Sequence, residues 1–334
     1  MADFNVNYNT GKQGQQGTVL AGVTTVSSTG SMRIPSGPTE QRGGRGNPSP
    51  TTSSQISYIT LASTGDASDF GTATSTIFTP GGAASPTRGL FAGGYNPAEL
   101  KSIDYITIAS KGNSLDFGEL PVTIRRVAGS SNSTRAIWAG GNRYPSAPHG
   151  TADIDYSTIA TLGNAIDFGT LTNSNAGGAA ACASSTRTVI NVTTTSSPQH
   201  SNTMEYVTIM STGNGVDFGN LLADPTRRTG RCSSSTRGLF AGGESPSAQN
   251  VIQYVTIQTL GNSVDFGDIT AATTDLAGCA NATRGCFGGG LSPTRVNTIT
   301  YVTIATLGNS SDFGDLVQAS DHNTACSNMN GGLL

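Results

Sequence analysis

Charged side chains are scarce in this sequence. They make up only 12% of 334 residues, and the formal net charge is -3. Such a surface lacks the basic field that binds phosphate backbones, so no nucleic-acid partner is predicted. No run of about 18 apolar residues is present, which argues against membrane insertion. The first residues also lack the charged and apolar regions of a signal peptide, so no export signal is expected.

The sequence lacks the usual signatures of enzymes and metal sites. It has neither a Gly-x-Ser-x-Gly turn nor a phosphate-binding loop, and no two cysteines have zinc-ligand spacing. The three histidines, His149, His200 and His322, lie in separate polar segments without a paired carboxylate. The sequence therefore predicts no enzyme, no cofactor and no metal. A glycan hydrolase stays open, because two carboxylates from different repeats could meet without any local spacing signal.

What the sequence does contain is a repeat. Tyr-x-Thr-Ile/Leu is followed by Gly at +7 and by Asp-Phe-Gly at +11 to +13, and the motif starts at Tyr58, Tyr105, Tyr156, Tyr206, Tyr254 and Tyr301. A second motif, Thr-Arg-Gly-Leu-Phe-Ala-Gly-Gly or a relative, lies between the copies. Each interval contains four short segments with β-branched and aromatic residues and no helical period. Four strands in roughly 48 residues is typical of a propeller blade. We call these strands a to d.

The repeat resembles those of kelch-type propellers. A Gly pair ends strand b, as in Gly93-Gly94 and Gly140-Gly141, and a Tyr lies in strand c. Kelch repeats usually carry Trp where this sequence has the Phe of Asp-Phe-Gly. The resemblance covers about residues 55 to 328. Together with the six copies and the segment before them, it predicts an all-β, six-bladed kelch-like β-propeller with an extended N-terminal arm; the resemblance implies no particular function.

The two ends of the chain predict how the ring closes. Residues 1–50 form the predicted arm, for docking and ring closure, and residues 51–334 form the predicted propeller. The last repeat ends after a strand a at 324–327 and has no strand b. We expect the N-terminal segment to pair beside this last strand, with residues 42–48 in the place of strand b. Such pairing would remove a free sheet edge.

The Asp-Phe-Gly motif resembles the metal-binding motif of protein kinases, but it occurs six times without the accompanying kinase motifs. We interpret it as part of strand d, with Phe between blades and Asp bound by a turn or an arginine. The expected pairs are internal ion pairs. Their candidate members are Arg88, Arg135, Arg187, Arg237 and Arg284 with Asp69, Asp116, Asp167, Asp217, Asp265 and Asp312.

Two further patterns predict structure rather than chemistry. Gly-Asn-x-x-Asp, as at 112–116, is interpreted as a turn between strands c and d, with a calcium loop as the minor alternative. Cys182, Cys232, Cys279 and Cys326 occupy one repeat position. Equivalent positions in different blades are too far apart for disulfides, so these cysteines are expected to pack on the innermost strand. Cys286 is expected in the core.

The repeats differ most in the b–c and d–a loops, which should emerge on the same face of a four-stranded meander. Variable loops on a regular scaffold are the usual place of recognition. The candidate binding residues on this face are Tyr95, Arg143, Tyr144, His149, Arg125, Arg126, Arg227 and Arg228.

Two segments resemble virion proteins of tailed phages. Residues 31–42 resemble a segment of tail-fibre proteins, and the repeat resembles those in structural proteins of phages that infect cyanobacteria and other marine bacteria. The resemblance implies a multi-copy virion protein whose arm contacts other virion proteins. Its propeller would engage host surface glycans or a virion protein. The alternative is a cellular glycan-binding or scaffold propeller.

Overall fold

The computed structural model describes residues 29–33, backbone only, and residues 54–328 except 97, 144–148, 174–175, 178–179, 195–200, 223–228 and 245–246. All described regular elements are β-strands, arranged in six four-stranded antiparallel sheets. The innermost strands contact each other in cyclic order around one axis. The arrangement is that of a β-propeller. The described part of the chain contains no helix that could cross a membrane.

Five sheets each consist of four consecutive strands, in the order a, b, c, d from the axis outward. The first contains β4 (Gly81–Ala84), β5 (Arg88–Ala92), β6 (Ser102–Thr107) and β7 (Leu115–Glu119), and the second contains β8 (Ala128–Ser131), β9 (Arg135–Ala139), β10 (Asp153–Thr158) and β11 (Ile166–Thr170). The third contains β12 (Ala180–Ala183), β13 (Arg187–Asn191), β14 (Thr203–Thr208) and β15 (Val216–Asn220), and the fourth contains β16 (Gly230–Ser233), β17 (Arg237–Ala241), β18 (Val251–Thr256) and β19 (Val264–Asp268). The fifth contains β20 (Ala277–Ala280), β21 (Arg284–Gly288), β22 (Thr298–Thr303) and β23 (Ser311–Asp315).

Another sheet combines the two ends of the chain. Its order is β24 (Thr324–Ser327), β1 (Thr29–Arg33), β2 (Gln55–Thr60) and β3 (Ser68–Thr72). β1 takes the place of strand b, with Gly30 opposite Ser327 on one side and Ile59 on the other. An N-terminal strand therefore pairs with the last strand as expected, but the prediction of residues 42–48 was wrong. Those residues lie outside the described part of the chain.

The repeated motifs form the contacts between neighbouring sheets. The Gly112 N–H donates to the Phe70 carbonyl of the preceding sheet at 2.9 Å, and Asn113 Oδ1 accepts the Thr72 N–H at 3.0 Å. The same Gly contact occurs at every junction, including Gly65 to Phe313 across the closing sheet, at 2.8 Å. The Gly-Asn turns thus bind the outer strand of the preceding sheet, and this role accounts for their repetition.

The Phe of each Asp-Phe-Gly is buried, as predicted. Phe117 packs edge-on against Tyr105 of its own sheet, with 6.1 Å between ring centroids, and the other five repeats have the same pair. The Asp before each Phe is exposed. Apolar burial on strand d therefore comes from the Phe alone, and the neighbouring Asp faces water.

The cysteines are free and buried, as the repeat predicts. The inner-strand cysteines Cys182, Cys232 and Cys326 each pack against a glycine on strand b of the next sheet. A Cβ on Gly238 would lie 2.2 Å from Cys182 Sγ, and one on Gly285 would lie 2.7 Å from Cys232 Sγ. Burial raises the pKa of the Cys182 thiol to about 12, so this thiol stays protonated. These side chains are packing elements around the axis.

The third copy of the Tyr motif departs from the pattern for a structural reason. It has Ser157 where the other copies have Ile or Val, and strand b of the same sheet has Trp138 where most copies have Phe. The buried Trp138 Nε1–H donates to Ser157 Oγ at 3.0 Å. A buried indole N–H needs an acceptor, so the Ser at position 157 accompanies the Trp at position 138.

Candidate binding face

The two variable loop sets meet on one face, as predicted, which we call the upper face. Residues after each Gly pair form bridges with residues that precede strand a of the same sheet, for example Tyr95 with Phe78, Asn142 with Arg125 and Leu291 with Thr274. The a–b and c–d turns lie at the opposite end of the strands, on the lower face. There the Gln258 side chain donates to Ser184 and Thr186 of the preceding sheet. The Gly94 N–H also donates to the carbonyl of Ile124, which leads into the next sheet, at 2.7 Å, so the b–c and d–a loops are connected to one another.

The predicted Arg–Asp ion pairs are wrong. Arg88, Arg135, Arg187, Arg237 and Arg284 instead donate from Nη1 to backbone carbonyls at the end of strand c in the next sheet, at 2.8 to 3.2 Å. None of the described ion pairs joins these arginines to Asp69, Asp116, Asp167, Asp217, Asp265 or Asp312. The carbonyls are already held by the fold, whereas each Asp lies exposed on strand d.

Each of these arginines also lies over the Tyr of its own strand c. The distances from Cζ to the ring centroid are 4.2 to 4.9 Å. The closing sheet has Thr29 in place of the Arg, and there Lys111 from the next sheet lies 4.5 Å from the Tyr58 ring centroid. A hydrogen bond with Lys111 lowers the pKa of the Tyr58 hydroxyl. The described tyrosines of the motif therefore all have a cation above the ring.

Two of the predicted binding residues are used to join sheets. The Arg125 guanidinium lies 5.4 Å from the Tyr95 ring centroid and 3.7 Å from Glu99 Oε1, and its side chain is only 16% exposed. Phe78 also packs against Tyr95, with 6.4 Å between the ring centroids. Tyr95 and Arg125 are thus brought together, but as partners of each other.

A more open charged site lies beside them on the upper face. Arg143 forms an ion pair with Asp153, and the two side chains are 30% and 44% exposed. The Arg143 N–H donates to the His149 carbonyl at 2.6 Å, and the His149 side chain is exposed. These three residues present a cation, a carboxylate and an imidazole to solvent. Tyr144, Arg227 and Arg228 lie outside the described residues.

The prediction that His322 has no paired carboxylate is wrong. His322 Nε2 lies 3.4 Å from Asp275 Oδ1, and Nδ1 lies 3.3 Å from Asp321 Oδ2. Arg295 Nε donates to Asp321 Oδ1 at 2.7 Å. Burial alone would raise the pKa of Asp321, but hydrogen bonds from His322 and Arg295 lower it below its usual value. Asp275 and His322 occupy the same position in consecutive repeats, and aligning the repeats could have revealed the pair.

Four residues at this repeat position have left-handed backbone conformations. They are Thr79, Arg126, Asp275 and His322, with φ between 50° and 59°. The Thr79 N–H donates to the His322 carbonyl at 3.2 Å, and the Arg126 N–H donates to the Thr79 carbonyl at 2.9 Å. Arg126 thus lies at the entry to an inner strand near the axis. Non-glycine residues in this region cost about 1 kcal/mol or more each, so the surrounding structure must hold them in place.

Asp155 is a half-buried carboxylate without the donors that its equivalents have. In other sheets, Gln253 accepts the Leu222 N–H and the Ser263 hydroxyl, and Glu205 accepts the Thr172 N–H. The corresponding donors for Asp155 are replaced by Pro121, which has no backbone N–H, and by Ala165, which has no hydroxyl. Burial, together with Asp153 and Asp167, raises the pKa of Asp155 to about 7. The carboxylate is therefore destabilised in its charged form.

We expect the free energy of unfolding to rise as the pH falls from 8 to 5. The folded-state pKa lies above the unfolded value, so the native state takes up the proton first and gains stability below pH 7. Because the side chain is partly exposed, we expect a gain of about 1–2 kcal/mol rather than the full value for three pKa units. Urea unfolding at each pH measures it. Asp155→Asn should remove this part of the pH dependence, and identical slopes in both proteins would contradict the assignment.

The described residues contain no cluster of His, Cys, Asp or Glu that could hold a metal ion. Comparison of the sequence with protein-family models gives no match, and comparison with curated proteins gives none either. The function must therefore be inferred from the two faces of the propeller.

Proposed function

We propose that this chain is a non-enzymatic binding protein built as a six-bladed, kelch-like propeller. In this proposal it is a structural protein of a tailed-phage virion, displayed on the tail or head. Its N-terminal arm contacts other virion proteins, and its upper face binds host surface glycans or another virion protein. The resemblance of the repeat to phage structural proteins supports the virion assignment. The alternative is a cellular glycan-binding or scaffold propeller.

The observation that carries the binding role is the difference between the two faces. Hydrogen bonds of the same kind recur at each junction of the lower turns, whereas the upper loops differ from repeat to repeat. The open group formed by Arg143, Asp153 and His149 offers donors and acceptors of the kind that hold sugar hydroxyls. Binding through this face needs only hydrogen-bonding groups and no catalytic residue.

We expect the full-length protein to bind host cells or members of a glycan panel, and Arg143→Ala to weaken this binding about tenfold or more. Thr64→Ala, an exposed change on the lower face, is the matched control and should leave binding unchanged. Equal binding by Arg143→Ala and the unaltered protein would contradict the assigned site. Proteomics of purified virions tests the location, and failure to find the chain in particles would favour the cellular alternative.

A further inference from the structure

Eight large apolar side chains are exposed on and beside the lower face. Among the described residues they come from two regions of the repeat, the c–d turn and the first residue of strand d, and each is 49% to 57% exposed. We call them the lower belt: Leu115, Leu162, Ile166, Met210, Val216, Leu260, Val264 and Leu307. Met210 Sδ accepts the Thr134 hydroxyl of an a–b turn, which places this part of the belt on the lower face. The belt extends around most of the ring.

The belt is large for a surface that stays in water. At roughly 90–100 Å² for each half-exposed side chain, the eight side chains from five sheets together expose about 700–800 Å² of apolar surface. This area is close to the roughly 800 Å² that each partner contributes to a standard protein interface. The belt is therefore large enough to form a stable contact by itself.

The a–b turns, which lie nearer the axis than the belt, have few groups that would oppose an apolar contact. The a–b turns are made of small neutral residues such as Ser133, Ser185 and Ser235. The arginines nearby are held by carbonyls and by the Tyr rings. The exposed charges that remain are Asp66, Lys111 and the aspartates of strand d. The belt and the a–b turns therefore offer an apolar, neutral contact surface, and the aspartates lie on the outermost strands around it.

We propose that the lower face binds the lower face of a second copy of this chain, forming a dimer with twofold symmetry. Because the belt residues recur around the ring, a twofold axis perpendicular to the ring axis can place one belt on the other as the same self-complementary patch. The variable upper faces then point in opposite directions. The dimer leaves both upper faces accessible, so it carries two copies of the binding site proposed above.

Analytical ultracentrifugation of the full-length protein at micromolar concentration tests the proposal. We expect a dimer, and we expect the Leu162→Lys, Leu260→Lys double variant to weaken it at least about tenfold, because two ammonium groups would be buried without partners. Added salt should leave the dimer intact or strengthen it, since the contact is apolar and the nearby aspartates repel one another. Circular dichroism and thermal unfolding establish that the variant remains folded.

The chain provides a matched control. Leu222 is 58% exposed but lies beyond the other end of strand d, away from the belt. Leu222→Lys should leave the dimer unchanged. A monomeric unaltered protein, a dimer that survives in the folded belt variant, or a dimer lost in Leu222→Lys would each overturn the proposal.

Discussion

Gly118→Ala is expected to lower the free energy of unfolding by about 3–4 kcal/mol, because it combines backbone strain with overpacking. Gly118 follows the Phe of Asp-Phe-Gly and has a φ of 148°. A Cβ at this position would lie 2.4 Å from the Gly163 carbonyl oxygen of the next sheet. Backbone atoms cannot rotate away as a side chain would, so the two sheets would have to separate.

The separation would break hydrogen bonds around the contact. The Gly163 N–H donates to the Phe117 carbonyl at 2.9 Å, and the Ala165 N–H donates to the Glu119 carbonyl at 2.8 Å. The Glu119 N–H donates to Asn164 Oδ1 at 3.0 Å. The expected effect therefore includes loss of pairing along one junction as well as strain at Gly118.

Gly163→Ala is the matched control. Gly163 has a φ of 152°, almost the same as that of Gly118, but no atom lies within 4 Å of the position of its Cβ. The free energy of unfolding of this variant should fall only by the cost of the backbone strain, about 1–2 kcal/mol. Urea unfolding of both variants measures the difference. Equal losses would show that the contact between sheets does not explain the glycine of Asp-Phe-Gly.

The strands were predictable from the sequence because each repeat carries the same signals. For example, the Gly pair at 140–141 was predicted to end strand b, and β9 (Arg135–Ala139) ends directly before it. The small inner-strand residues were also predictable, since a position repeated around an axis has little room. The strand β1 was not predictable in detail, because pairing through the backbone leaves no side-chain signature in residues 29–33.

The partners of the side chains were harder to predict than the strands. The arginines of strand b were assigned to carboxylates because charge complementarity is visible in a sequence. The carbonyls that they bind end strand c of the next sheet, and only the fold brings them near. Likewise, Tyr95 and Arg125 were predicted as ligands of a partner, but the structure brings them into contact with each other. In both examples the partner of the side chain belongs to a neighbouring sheet, which the sequence alone does not reveal.

The partners of His322 were equally hard to predict from the local sequence. Its partner Asp275 is 47 residues earlier in the sequence, one repeat away, and it approaches because both residues enter inner strands beside the axis. The candidate face is therefore only partly readable from the sequence.

Gly238→Ala is expected to destabilise the protein by about 2–3 kcal/mol, since it overpacks a close contact around the axis. The new Cβ would lie 2.2 Å from Cys182 Sγ and 3.4 Å from Val255 Cγ2, and all three residues are buried. Cys182→Ala alone removes the sulfur and should cost about 1 kcal/mol for the lost contacts. The two changes act on the same space.

The double variant Gly238→Ala, Cys182→Ala should be more stable than Gly238→Ala alone. It would create an Ala–Ala pair like that of Ala83 and Ala136, which occupy the equivalent positions two sheets earlier and belong to one core cluster. We expect a coupling energy of about 2 kcal/mol in the double-mutant cycle, measured by urea unfolding at neutral pH. Additive losses would show that the two positions do not compete for space. Strong coupling would show that the sizes of inner-strand and strand-b residues are matched sheet by sheet around the axis.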